Sequence, residues 1–181
     1  MAGPLTPPKP SSRLRTELSV LLTPHRGLII CAAISAALLI GAFLFEYVGG
    51  LAPCRMCIWQ RWAHVAVIMA AAAGLLLMPP RIGLVLTLLA ALASAGIAGY
   101  HAGVEWQLWD GPAGCTAGLG TGTSAAALVD QLLATPVVRC DDVPWSLFGL
   151  SMAGWNMLFS LDISAVALLA LIFGGRVKRQ T

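Results

Sequence analysis

Apolar residues fall into four long runs separated by polar and glycine-rich stretches. Uncharged windows cover Gly27 to Phe45, Trp62 to Pro80 and Ile82 to Gly103; a fourth, Val143 to Gly175, is broken only by Asp162. The first three each hold the ~20 residues that a helix needs to cross a ~30 Å hydrocarbon layer. A chain in lipid must satisfy its amides internally, and these runs lack the alternation of barrel strands, so helices are predicted. The expected fold is an all-α integral membrane protein, a four-transmembrane-helix bundle with spans at about 28–46, 60–78, 82–101 and 152–173. Pro79 and Pro80 leave so short a link between the second and third spans that these must be antiparallel neighbours.

The remaining stretches complete a single domain over 27–175, with tails at 1–26 and 176–181 and far-side loops at about 47–59 and 102–151. In the longer loop, Gly111, Gly114, Gly118, Gly120 and Gly122 flank Cys115. The segment Ser124 to Leu133 reads as a short membrane-surface helix, with Ser124 as N-cap, Leu128, Leu132 and Leu133 on one face and Pro136 beyond its end. The Pro-rich opening, Met1 to Thr23, offers no apolar face to bury. The first apolar run exceeds a typical signal-peptide core and is read as a retained anchor.

Composition agrees, with 58% hydrophobic and 10% charged residues, too little charge for an ordinary soluble domain. Charge also sets the orientation. Lys9, Arg13, Arg15, Arg26, Arg81, Arg176, Lys178 and Arg179 share one side and only Arg55, Arg61 and Arg139 the other, so the positive-inside rule puts both termini in the cytoplasm. The net charge of +3 comes from those cytoplasmic flanks, not from a basic stripe, and a nucleic-acid partner is not expected. The six tryptophans cluster near the outer boundary and read as an interfacial belt.

The chemistry-bearing residues lie on that outer side. Cys54-Arg55-Met56-Cys57 follows Pro53 at the mouth of the second span, where a helix N-terminus favours a thiolate. Arg61 sits one turn past Cys57. A cation there needs a partner, either a Cys57 thiolate or the carbonyl of a bound quinone, unless it snorkels to headgroups. Cys115 and Cys140 can exchange with a soluble protein thiol. Disulfide exchange only moves electrons between sulfurs, so a chain that generates disulfides needs a further acceptor, and a lipid-dissolved quinone is a natural one.

Other readings compete. Four thiolates could hold zinc, but Cys115 and Cys140 lack knuckle spacing, and no metal is expected. Two inert disulfides could staple the loops of a non-catalytic scaffold. Cys31 reads as a packed core thiol and His64 as a hydrogen-bonded bundle residue. His101, at the outer end of the third span, could assist proton transfer to a quinone. Asp162 is costly in mid-span and could be protonated or paired with a hydroxyl such as Ser94.

Pro53-Cys54-Arg55-Met56-Cys57-Ile58-Trp59-Gln60-Arg61 resembles the P-C-x-x-C-x-x-x-R element of the disulfide bond formation protein B (DsbB) family, and Cys115 with Cys140 is similar to its loop pair. Gly99 to Glu105 and Trp145 to Met152 are also similar, so the resemblance runs from about Leu28 to Phe173. It implies a bacterial inner-membrane thiol:quinone oxidoreductase that supports disulfide formation in secreted proteins. By that resemblance, a reduced periplasmic thioredoxin-fold oxidase (DsbA-like) attacks Cys115, Cys140 passes to Cys54, and Cys57 delivers electrons to ubiquinone or menaquinone. Cys54, Cys57, Cys115 and Cys140 would be catalytic, with Arg61 and His101 as quinone contacts. A vitamin K epoxide reductase-like enzyme is the nearest catalytic alternative, but that family carries its quinone-facing CxxC late in the bundle.

Overall fold

The computed structural model describes residues 23–113, 115 and 138–174. Residues 1–22 of the expected N-terminal tail, the C-terminal tail and the expected surface helix at 124–133 lie outside them, while the last tail residues, Pro24 to Arg26, are helical. The chain forms four long helices, α1 (Pro24–Tyr47), α2 (Arg55–Leu76), α3 (Pro80–Glu105) and α4 (Met152–Phe173). Each start has a local cause. The Thr23 side chain accepts the Arg26 amide and Pro24 takes the first helical position, where a missing N–H costs nothing. Pro80 does the same for α3, and the Ser151 hydroxyl caps α4 by accepting the Gly154 amide at 3.1 Å.

Three of these helices, α1, α3 and α4, are long and apolar enough to cross a membrane. In α2 the early turns carry Gln60, Arg61 and His64, which dilute an otherwise apolar segment. The bundle is apolar outside and small or polar inside. Ile29, Ile40, Met69, Leu76, Leu89 and Leu161 are exposed, while Ser35, Thr87, Ser94, Ser160 and several alanines are buried. Water would not tolerate that much exposed aliphatic surface, but lipid does, and small residues let helices approach. The protein is an all-α integral membrane protein.

α2 and α3, antiparallel across the short link at 77–79, approach closely. A Cβ built on Gly83 would lie 2.3 Å from the Gly74 Cα, and the reverse contact is 2.6 Å. Backbone meets backbone there, so neither side can yield by a rotamer change. Gly83→Val is therefore expected to lower stability by about 3 kcal/mol or more, since overpacking already costs ~1–3 kcal/mol where side chains can adjust. Unfolding in detergent checks this, with Gly96→Val as the control because nothing lies within 4 Å of a Cβ there.

One element was not expected. Ser146–Leu147 (β1) and Leu150–Ser151 (β2) form a two-stranded antiparallel hairpin just before α4. Its turn residues, Phe148 and Gly149, have φ of 52° and 78°, the left-handed pair that suits a two-residue hairpin loop. The hairpin sets the entry of α4, and the Trp155 indole fastens it by donating to the Leu147 carbonyl at 3.1 Å.

Candidate active site

The CxxC is built by the way α2 begins. Cys54 is the N-cap: its own sulfur accepts the Cys57 amide at 3.2 Å, doing the work usually done by a serine or aspartate oxygen. The cap brings the Cys54 and Cys57 sulfurs to 2.8 Å, with Cys54 buried and Cys57 half-buried. His101, near the end of α3, approaches the Cys54 sulfur at 3.6 Å through Nε2. The Cys57 thiol, hydrogen-bonded to Cys54, is the largest influence holding the Cys54 thiol well below its ordinary value; His101 adds to it, and burial opposes both.

A stabilised thiolate persists to lower pH, so with the pair reduced, alkylation of Cys54 is expected to stay fast below the ordinary thiol range near 8.5 and to fall only when the medium becomes clearly acidic. A rate profile measured by mass spectrometry, with Cys54 resolved from Cys57 by cleavage at Arg55, tests it. A Cys54 midpoint at or above the ordinary thiol value would contradict the geometry.

The second cysteine pair is carried over the same end of the bundle by a fold-back of the chain after α3. Gln107 turns at φ 57°, and Trp109 folds onto α3, donating to the Tyr100 carbonyl at 2.9 Å and stacking on its ring at 5.8 Å. Gly103 is needed beneath it, because a Cβ there would meet the Trp109 ring at 2.0 Å. Arg55 then holds the Ala113 carbonyl at 3.0 Å, and the Cys140 amide donates to the Cys115 carbonyl at 2.9 Å. Cys115 and Cys140 are joined by a disulfide and buried against Cys54, Met56 and Val104. The Cys54 sulfur, a ring nitrogen of His101 and the Cys140 sulfur lie within 4.8 Å of one another. Three such donors could hold a soft cation in principle, but the Cys140 sulfur is already bonded to Cys115. The arrangement suits sulfur-to-sulfur exchange.

Arg61 has a protein partner that was not expected. Its guanidinium pairs with the Glu46 carboxylate at the end of α1, donates to the Ala42 carbonyl at 3.3 Å and lies 4.9 Å from the Phe43 ring centre. The Cys57 sulfur does not neutralise it. Arg61 still borders a cavity of about 500 Å³ together with Cys57, Gln60, His101, Glu105 and Asn156. Phe45, Trp145, Trp155 and Phe159 supply aromatic wall, and Phe45 meets Trp145 at 5.0 Å. A chamber of this size with aliphatic and aromatic walls and polar groups around its sulfur end suits a flat, lipid-soluble ligand with polar edges.

Sequence reasoning missed Glu46, Glu105, Gln60 and Asn156. Glu105 is buried within 3.8 Å of His101 and accepts the Ser151 hydroxyl. A signal existed in Glu105, an acid one helical turn past His101, but the partners of Gln60 and Asn156 lie on other helices. Asp162 is exposed on α4, and Ser94, the hydroxyl suggested for it, bonds instead to Ser160 at 2.9 Å and approaches His64 at 3.4 Å. Cys31 is fully buried, with its sulfur 3.6 Å from the Ile163 carbonyl.

Known proteins share this sequence over most of its length. The family described as "Disulfide bond formation protein DsbB" matches residues 24–171. A protein named "Disulfide bond formation protein B" from Methylococcus capsulatus is 34% identical over 152 residues, covering 79% of this chain and 88% of its own. One of the same name from an Azoarcus species is 34% identical over 83% of this chain and 93% of its own. A third, from an Acidovorax species, is 30% identical over 84% and 90%. With the match spanning all four helices and both cysteine pairs, the chain belongs to the DsbB family of disulfide bond formation proteins.

Proposed function

We propose that this protein is a thiol:quinone oxidoreductase of the bacterial inner membrane, which reoxidises a periplasmic thioredoxin-fold oxidase (DsbA-like) and discharges the electrons into ubiquinone or menaquinone. The observation that carries the reading is the juxtaposition of two cysteine pairs, one within exchange distance of the other and the first bordering an apolar cavity. In this reading the chain crosses the membrane four times, α2 included, with both termini cytoplasmic and the cysteines periplasmic.

A thiolate of the reduced partner attacks Cys115, breaking its bond to Cys140, and the partner's second thiol then closes the partner's disulfide. Cys140 attacks Cys54 of an oxidised Cys54–Cys57 pair and expels Cys57; Cys115 then closes on Cys140, leaving the CxxC as a dithiol. Two electrons and two protons leave as that pair becomes a disulfide again, and a quinone supplies the chemistry that accepts them. Arg61 and His101 are the residues that would hold its carbonyl edge, the one as a cation and the other as a ring N–H. His101 also contacts Cys54, so it can stabilise sulfur anion and ligand oxygen from one position. The cavity's aromatic walls exclude water.

Trapping tests the relay. A reduced thioredoxin-fold oxidase whose second cysteine is replaced by serine can attack Cys115 and release Cys140 but cannot close its own disulfide, so it is expected to accumulate as a covalent adduct on Cys115 of the wild-type protein. No adduct, or an adduct that peptide mapping places on Cys140, would contradict the assigned entry point. A scaffold held by two inert disulfides predicts no adduct at either cysteine.

A further inference from the structure

A chain of buried polar side chains runs from the middle of the bundle to the Cys54 sulfur, and the thiol relay leaves its inner members unused. Ser35 Oγ lies 3.3 Å from His64 Nδ1, and His64 Nε2 lies 2.6 Å from Asn156 Oδ1. The Asn156 amide donates to Gln60 Oε1 at 2.7 Å, and Gln60 Nε2 is 2.8 Å from His101 Nδ1. The chain draws on all four helices. Ser35, Gln60, His64 and His101 are each no more than 7% exposed, so these bonds are sheltered from competing water.

Its direction is fixed from both sides. His101 Nε2 faces the Cys140 carbonyl at 3.2 Å as well as the Cys54 sulfur, and a carbonyl can only accept, so Nε2 carries the hydrogen. The oxygen of Gln60 is occupied by Asn156, so Gln60 turns its NH₂ toward His101 and Nδ1 must accept. Further in, the Asn156 oxygen takes the His64 Nε2–H, which leaves His64 Nδ1 to accept the Ser35 hydroxyl. Every donor points the same way, and the last one ends on sulfur.

We propose that Gln60, Asn156 and His64 are positioning residues that hold His101 as the neutral Nε2–H tautomer aimed at Cys54. A neutral donor stabilises a thiolate without handing it a proton, whereas an imidazolium could quench it. Side-chain amides do not titrate, so the middle of the chain keeps its direction across the working pH range. The charged and titratable groups around Cys54 and His101 are Cys57, Arg61 and His64 from α2, Glu105 from α3, and Arg139 and Asp142 from the segment before the hairpin; α4 and its cap offer only the uncharged Asn156 and Ser151. Arg139 is paired with Asp141. The test below alters none of these charged groups.

The inference rests on the thiol:quinone reading for its consequence but not for its test. In full-length protein in lipid nanodiscs with Cys54 and Cys57 reduced, Asn156→Leu and Asn156→Ala both remove the donor to Gln60 without adding a charge. Each is expected to raise the midpoint of the Cys54 alkylation profile by about one pH unit, a tenfold lower rate on the acid side. Ser164→Ala, which deletes a buried hydroxyl bonded to the Ser160 carbonyl of its own helix, should leave the profile in place. Unmoved profiles in both Asn156 variants would overturn the proposal. Wild-type protein labelled with ¹⁵N-histidine gives a reading independent of any variant. A His101 ring protonated at Nε2 and bare at Nδ1 supports the proposal, and an imidazolium or the Nδ1–H tautomer at neutral pH overturns it. If the ring is as expected but wild type reduces no quinone, the enzyme reading fails and the positioning chain stands.

Discussion

Replacing Cys57 by alanine is expected to reduce steady-state quinol formation to background while the protein still inserts and folds. Cys57 is half-buried on the first turn of α2, its sulfur bordering the cavity, and contributes no core packing that alanine would not largely retain. Without it no Cys54–Cys57 disulfide exists to be attacked by Cys140, so the relay loses its only route from loop sulfur to cavity. Loss should be complete, because a two-electron transfer cannot stop on one sulfur. Cys31→Ala is the matched control: its thiol is buried in the core among Leu28, Val67, Ala71 and Ile163, away from the other sulfurs, and turnover should remain within about twofold. Turnover assays on both variants in the same lipid, with melting curves alongside, separate lost chemistry from lost folding. Substantial quinol formation by Cys57→Ala would refute the relay.

The second large effect falls on Arg61. Losing a charge-assisted hydrogen bond to a carbonyl costs about 1.5–3 kcal/mol, or about 10-fold to 150-fold in kcat/KM for the quinone. Arg61→Met should show this mainly in KM, but it also leaves the Glu46 carboxylate without its cation in a partly buried position. Pairing it with Glu46→Gln separates the two consequences. The double variant should recover stability lost by Arg61→Met and still bind quinone weakly, whereas Glu46→Gln alone should change quinone KM by only a few-fold. A double variant with restored quinone KM would show that Arg61 acts by neutralising Glu46 and not through the ligand.

Much of this was legible in the chain because the signals are local. Long apolar runs, one of them broken by Asp162, yield the three helices long and apolar enough to span, and Pro53 before Cys54 marks the start of α2. The ends of those helices were harder. α2 begins at Arg55 and α3 runs to Glu105, since a capped helix continues through polar residues once its apolar part is fixed. The hairpin escaped notice because its turn uses Phe148, not the usual asparagine, before Gly149.

The site divides the same way. Cys54, Cys57 and Arg61 could be related to one another by helical spacing alone. Glu46 as the partner of Arg61, and Asn156 as the link between His64 and Gln60, could not, because each contact joins different helices and no local pattern encodes which faces meet. His101 was singled out for a quinone; its contact with the Cys54 sulfur came only with the fold.

The most direct test is quinone reduction by purified wild-type protein supplied with a reduced thioredoxin-fold oxidase. The account predicts one quinol formed per partner disulfide formed, with both abolished together by Cys57→Ala. Partner oxidation without quinol, or no reaction at all, would contradict it.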